Sequence, residues 1–183
     1  MCELLKERPS GVELVTRRYP INLDALRTRL DEDLKCEPDA ILHLGQAPGA
    51  AAIKLEAVAL NVAGLVDDNG QELPFIVEQG PLAFRSLMPL GRWSQTLRSA
   101  GIPAAVSYHA GTYLCNAVMY LSHYWHLQQG VDRPIGFVHL PLATEQVAAA
   151  KRSYPSLPVA TLATAVRLLL ADLTPETANE RMA

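Results

Sequence analysis

Ala110-Gly111-Thr112-Tyr113-Leu114-Cys115-Asn116-Ala117-Val118-Met119-Tyr120 separates two segments with different periodicity. Before it, Ile102-Pro103-Ala104-Ala105-Val106-Ser107-Tyr108 is a short apolar run led by a proline, which predicts a buried strand. After it, Leu114, Val118, Leu121 and Trp125 recur at helical spacing to about Gln129, and Gly130 stops the helix. Gly111 permits the sharp turn between the two. Cys115 therefore falls in or near the first turn of a helix leaving a strand, where unpaired backbone N–H groups favour a thiolate.

Working outward, two other segments carry groups that match a reactive thiol. Ile135 to Pro141 is a strand that delivers His139 near its end, and Ile53 to Asn61 is an extended segment that carries Glu56. A lone cysteine is more often a core residue. A thiol, an imidazole and a carboxylate on separate elements can instead form a nucleophile, a base and an orienting acid.

The rest of the chain reads as alternating strands and helices. Cys2 to Arg8 ends a helix, and Pro9-Ser10-Gly11 turns. Val12 to Tyr19 is strand-like. Asn22 caps a helix to about Leu34 with Leu23, Leu26 and Leu30 on one face, and Ala40 to Gly45 is a buried strand. That strand–helix–strand order predicts a right-handed crossover and a parallel pair. Gly45 to Gly49 is a loop at a strand's carboxyl end, a favoured place for ligands. Asp67 to Gly70 is a turn, and Gln71 to Pro81 is irregular. Leu90 to Ala100 is a helix ended by Gly101. Thr144 caps a helix containing Val147 and Ala148, Pro155 to Pro158 interrupt, and Val159 to Leu173 is an apolar helix over one face of the sheet. The polar end, Thr174 to Ala183, frays. The expected fold class is α/β, a three-layer α/β/α sandwich around a mostly parallel sheet.

The chain has 183 residues, 49% of them hydrophobic, which supports one domain with a sizeable core. A net charge of −3 without a basic cluster argues against a nucleic-acid partner. Cys2, Cys36 and Cys115 offer neither a disulfide framework nor paired metal-ligand spacing. His123 and His126 stand one helical turn apart, but no carboxylate joins them, so no metal and no cofactor is expected. His43 reads as a hydrogen-bonded core histidine, and His109 has no assigned role. With no apolar leader and no run of spanning length, the expectation is a cytoplasmic protein that does not bind membranes.

Four words in order, Gly45-Gln46-Ala47-Pro48-Gly49, Leu55-Glu56 with Asn61, Ala110 to Asn116, and Gly136-Phe137-Val138-His139-Leu140-Pro141, resemble the pyroglutamyl peptidase I family, also called pyrrolidone-carboxylate peptidases. The resemblance covers about Val12 to Ala171. It implies a phosphorylase/hydrolase-like fold and a cysteine peptidase that removes N-terminal pyroglutamate from peptides, with the triad on Cys115, His139 and Glu56. It further implies that Gln46 meets the lactam of the substrate, that Tyr113 forms a wall of the pocket, and that Asn116 supports the helix start. Two departures go with it. The family's first strand and its loop rich in glycine and phenylalanine have no counterpart, so the single domain, residues 1–183, reads as truncated at its N-terminus. Val62 to Val66 also lacks the family's arginine. Both imply impaired turnover, and the uncovered apolar surface implies a homo-oligomer. The alternatives are a related small-acyl amidase, and a weak or silent homologue that serves as a binding or scaffold protein.

Overall fold

The computed structural model describes residues 12–66, 72–150 and 153–173. The expected helix at Cys2 to Arg8, the turns at Pro9 to Gly11 and Asp67 to Gly70, and the frayed end at Thr174 to Ala183 lie outside them.

The elements, in order, are α1 (Leu23–Leu34), β1 (Ile41–Gln46), β2 (Ile53–Glu56), β3 (Val58–Leu60), β4 (Leu65–Val66), β5 (Glu72–Leu73), β6 (Ala83–Arg85), α2 (Leu90–Ser99), β7 (Ala104–Ser107), α3 (Leu114–Gln129), β8 (Ile135–Leu140), β9 (Leu142–Ala143), α4 (Thr144–Ala148), β10 (Ser156–Leu157) and α5 (Val159–Ala171). The central sheet has the order β1-β8-β2-β7. β1 is parallel to β8 and β2 is parallel to β7, whereas β2 runs antiparallel to β8. The reason lies in the short Ala47–Ala52 link between β1 and β2. A parallel return needs a crossover of a dozen or more residues, so β2 comes back in the opposite sense. The β3–β6, β4–β5 and β9–β10 ladders are small two-stranded annexes.

Alternation along the strands divides the core in two. Ile53, Leu55 and Val138 pack with Trp93 and Leu97 of α2 and Ala165 and Leu169 of α5. Phe137 and the partly buried Ile41 pack with Leu26 and Leu30 of α1 and with Leu114, Ala117 and Val118 of α3. One α/β/α sandwich results, with β8 in the middle layer.

Several expectations need correction. Val12 to Tyr19 forms no strand. Its exposed residues find no sheet neighbour, and it is tied down by side chains instead. Arg17 Nε donates to Asp33 Oδ1 at 2.9 Å, and Tyr19 meets His43 edge-on. The parallel pair expected from strand–helix–strand order is therefore absent there, and the parallel neighbour of β1 is β8. Ile53 to Asn61 is two strands rather than one. Ala57 breaks it by donating to Ser107 O at 2.7 Å while its carbonyl accepts from Ser86 N at 2.9 Å, which hands the chain from the central sheet to the β3–β6 ladder. Within the segment read as irregular, Glu72–Leu73 pairs with β4. Thr144 is the first residue of α4 rather than its cap, and Gln146 Oε1 accepts from Ala143 N at 2.9 Å. α1 follows its sequence signal closely, with Asn22 Oδ1 accepting from Ala25 N at 2.9 Å.

Candidate active site

The turn before α3 is set by backbone geometry. Gly111 has φ +84°, a conformation that a side chain would strain, and its N–H donates to His109 Nδ1 at 2.8 Å. α3 then begins at Leu114 with Tyr113 as N-cap and no side chain capping it. The first helical N–H groups lack intrahelical acceptors and concentrate positive potential around Cys115. Asn116, fully buried beside Cys115, locks the helix start to the neighbouring chain. Its Oδ1 accepts from Leu60 N at 2.8 Å, and its Nδ2 donates to Leu60 O at 2.8 Å and Val62 O at 3.2 Å. Asn61 does the same one residue further on, donating to Val77 O at 2.7 Å and accepting from Val77 N at 2.9 Å.

The sheet brings the other two groups to this helix. His139 near the end of β8 is buried, and its Nδ1 donates to Glu56 Oε1 of β2 at 2.8 Å. Glu56 is 1% exposed, so this bond runs in a low-dielectric interior. With Nδ1 committed to Glu56, Nε2 is the ring nitrogen left for Cys115, which lies close enough to the imidazole to raise its pKa. Burial works against charge on His139. The hydrogen bonds and negative charge of Cys115 and Glu56 outweigh it and push the imidazole up to about 9. An imidazolium at neutral pH follows. Among the described residues Glu56 Oε2 has no hydrogen-bond partner.

β1 supplies the floor. Gly45 is the in-register neighbour of His139, as His43 is of Phe137. The Phe137 ring packs on the His139 ring with centroids 4.6 Å apart. Gln46 ends β1. Its Nε2 donates to Gln146 Oε1 of α4 at 2.6 Å. Tyr113 is about half exposed at the mouth of α3. Two surface hollows, one between α1 and α3 and one beside Trp125 and His126, contain none of these residues.

Three further histidines are buried on the same side of the sheet. His43 Nε2 donates to Ser122 Oγ at 2.8 Å, and Ser122 Oγ donates on to Val118 O. His126 Nδ1 donates to Ser122 O at 2.8 Å. His123 stacks on Phe84, and its Nε2 has no partner among the described residues. Burial, then the like charge of a neighbouring histidine, lowers His43 and His123 to about 4, so both are neutral. Among the described residues no group of three potential metal ligands exists, and no helix is long and apolar enough to cross a membrane.

Sequence reasoning assigned no function to Gly45, Phe137 or Gln146. The alternation that puts Phe137 on the face of His139 is visible in the sequence. The pairing of β1 with β8, which brings Gly45 beside them, is not.

The family model described as pyroglutamyl peptidase matches residues 11–174. The chain is 38% identical to the pyrrolidone-carboxylate peptidase of Pectobacterium atrosepticum, over 93% of this chain and 81% of the relative. It is also 38% identical to that of Streptomyces coelicolor, over 90% and 78%. Its fold matches the crystal structure of pyrrolidone carboxyl peptidase from Fervidobacterium islandicum with a TM-score of 0.85 at 35% identity, over 94% of this chain and 86% of the other.

Proposed function

The chain belongs to the pyroglutamyl peptidase family, and we infer from that premise that it is a cysteine peptidase that hydrolyses the amide bond after an N-terminal pyroglutamyl residue. The observation that carries the reading is the imidazole of His139, hydrogen-bonded through Nδ1 to Glu56 at 2.8 Å, with Cys115 close enough to raise its pKa.

Cys115 is the proposed nucleophile. Its thiolate attacks the pyroglutamyl carbonyl carbon, and the carbonyl electrons move onto oxygen. The unpaired N–H groups at the start of α3 are the donors that stabilise this oxyanion. When the C–N bond breaks, His139 gives its proton to the leaving amine, and the acyl group remains on sulfur as a thioester. His139, now neutral, takes a proton from water. The hydroxide formed attacks the thioester, the C–S bond breaks, and pyroglutamic acid leaves as the thiolate and the imidazolium of His139 are restored. Glu56 keeps Nδ1 protonated throughout and so fixes Nε2 as the nitrogen that exchanges protons. Gln46 is the proposed partner of the lactam and Tyr113 the proposed apolar wall.

The test is steady-state hydrolysis of a pyroglutamyl amide, with mass detection of an acyl adduct on Cys115 after rapid acid quench. Wild type is expected to hydrolyse the amide and to gain one pyroglutamyl group at Cys115. Cys115→Ser is expected to lose at least about a thousandfold in rate. Equal rates in wild type and Cys115→Ser would sink the thiol mechanism.

A further inference from the structure

We propose that Gly45 is a positioning residue whose missing side chain lets the Cys115 thiol and the Phe137–His139 ring pair close on one another over β1. The inference rests on the proposed roles of Cys115 and His139. A methyl group at Gly45 would stand 2.7 Å from Cζ and 3.0 Å from Cε1 of Phe137, and 3.2 Å from Sγ of Cys115. Carbon atoms do not approach to 2.7 Å, so something must shift. Phe137 is 2% exposed and its ring lies against His139, which leaves it no open direction. Two displacements follow together: the ring presses on the imidazole, and the sulfur is pushed off β1.

Gly45 does not owe its place to turn geometry. It lies inside β1 in regular parallel register, opposite His139, and is absent from the glycines with positive φ. What it supplies is space, at the point where β8, β1 and α3 converge. The sheet contains a matched control. A methyl at Gly136, on the same strand as His139, would stand 2.8 Å from Cγ of Met88, a residue of the opposite core cluster. That site is overpacked to a similar degree but faces away from Cys115.

The experiment compares Gly45→Ala with Gly136→Ala in the full chain. The readouts are kcat and KM on a pyroglutamyl amide, the pH dependence of Cys115 alkylation by iodoacetamide, and the His139 titration by NMR. The groups facing His139 are Cys115 from α3, Glu56 from β2, and Lys54, its cross-strand neighbour on β2. Only the approach of Cys115 is changed directly. Gly45→Ala is expected to lower kcat about 10- to 100-fold with KM within about twofold. His139 should titrate below its wild-type value, and alkylation at neutral pH should slow. Gly136→Ala is expected to lower the melting temperature while leaving kcat, alkylation and titration at wild-type values. If Gly45→Ala does not fold, Gly45→Ala is compared with wild-type Gly45 in a Phe137→Leu background. There the ring contact is gone, and the methyl still crowds the sulfur. An unchanged His139 titration and alkylation profile in the alanine variant would overturn the proposal, as would an equal catalytic loss in Gly136→Ala. If wild type does not hydrolyse the amide, the peptidase reading fails, and the alkylation and titration still decide the role of Gly45.

Discussion

On one side of the central sheet, Ile53, Leu55 and Val138 meet Trp93, Leu97 and Leu169 in an aliphatic and aromatic core. On the other side the same two strands contribute Glu56 and His139, β1 contributes His43, and α3 adds Asn116, Ser122, His123 and His126, all buried. A residue and its chain neighbour, Val138 and His139 or Leu55 and Glu56, thus serve opposite ends. Burial of the first member stabilises the fold. Burial of the second costs free energy unless hydrogen bonds and opposite charge offset it. The contrast teaches where buried polar groups can be placed: opposite a purely apolar layer firm enough to hold the strands, among the packed side chains of the other core.

The comparison predicts a crossed pair of phenotypes, and this is the largest expected effect. Cys115→Ser on the polar side should remove activity with the melting temperature within a few degrees of wild type. Leu97→Ala on the dry side should cost about 2–5 kcal/mol of stability and leave kcat per folded molecule near wild type. Denaturant titration beside active-site-normalised kinetics measures both, and loss of kcat in folded Leu97→Ala would blur the division between the faces.

Glu56→Gln comes next. The amide keeps the shape but removes a charge that raises His139 and can select the wrong imidazole tautomer. We expect kcat to fall about 10²- to 10⁴-fold and the His139 titration to move down from about 9. A variant that keeps its kcat would exclude an orienting role.

The pH response should bracket the polar side from both ends. His139 is raised above its unfolded value near 6.5, so its contribution to stability is fully present below about 6.5 and is lost as pH rises through about 9. His43 and His123 are lowered to about 4, so the unfolded chain binds more protons between about 4 and 6.5, and stability falls as pH drops through that window. Melting curves across pH should therefore form a dome. His43→Gln, which cannot charge, should flatten its acid side, and an unchanged acid limb would assign that limb to other groups.

The smallest effect is expected at Gln46, at the exposed rim. Loss of one hydrogen bond to a lactam is worth about 1 kcal/mol, so Gln46→Ala should raise KM about fivefold and change kcat little. A fall in kcat alone would argue against a ground-state contact.

How far the sequence carried these conclusions depends on range. Leu114, Val118, Leu121 and Trp125 announce α3, and Asn22 with the leucines after it announces α1, because both signals lie within a few residues. Cys115, His139 and Glu56 were singled out as a set through their strand and helix contexts and through family words, and of that set the structure joins Glu56 to His139 by a hydrogen bond. Val12 to Tyr19 misled because β-like composition says nothing about whether a neighbouring strand is available. The break at Ala57 was hidden because its two partners, Ser86 and Ser107, lie far along the chain. Gly45 and Phe137 meet only through the register of β1 on β8, which no local pattern encodes.

The central place of β8 has a consequence for how the protein comes into being. Glu56 and His139 are separated by 83 positions, and β8 stands between β1 and β2 in the sheet. During synthesis the first two strands leave the ribosome with a gap between them, and Cys115 emerges before its imidazole does. Pairing across such distances is slow. The nascent chain therefore passes through a period in which Cys115 has no His139 to meet and the sheet no middle. Arrival of Ile135 to Leu140 fills the gap in the sheet and brings His139 beside Glu56 in one event, while the dry core still waits for Ala165 and Leu169 of α5.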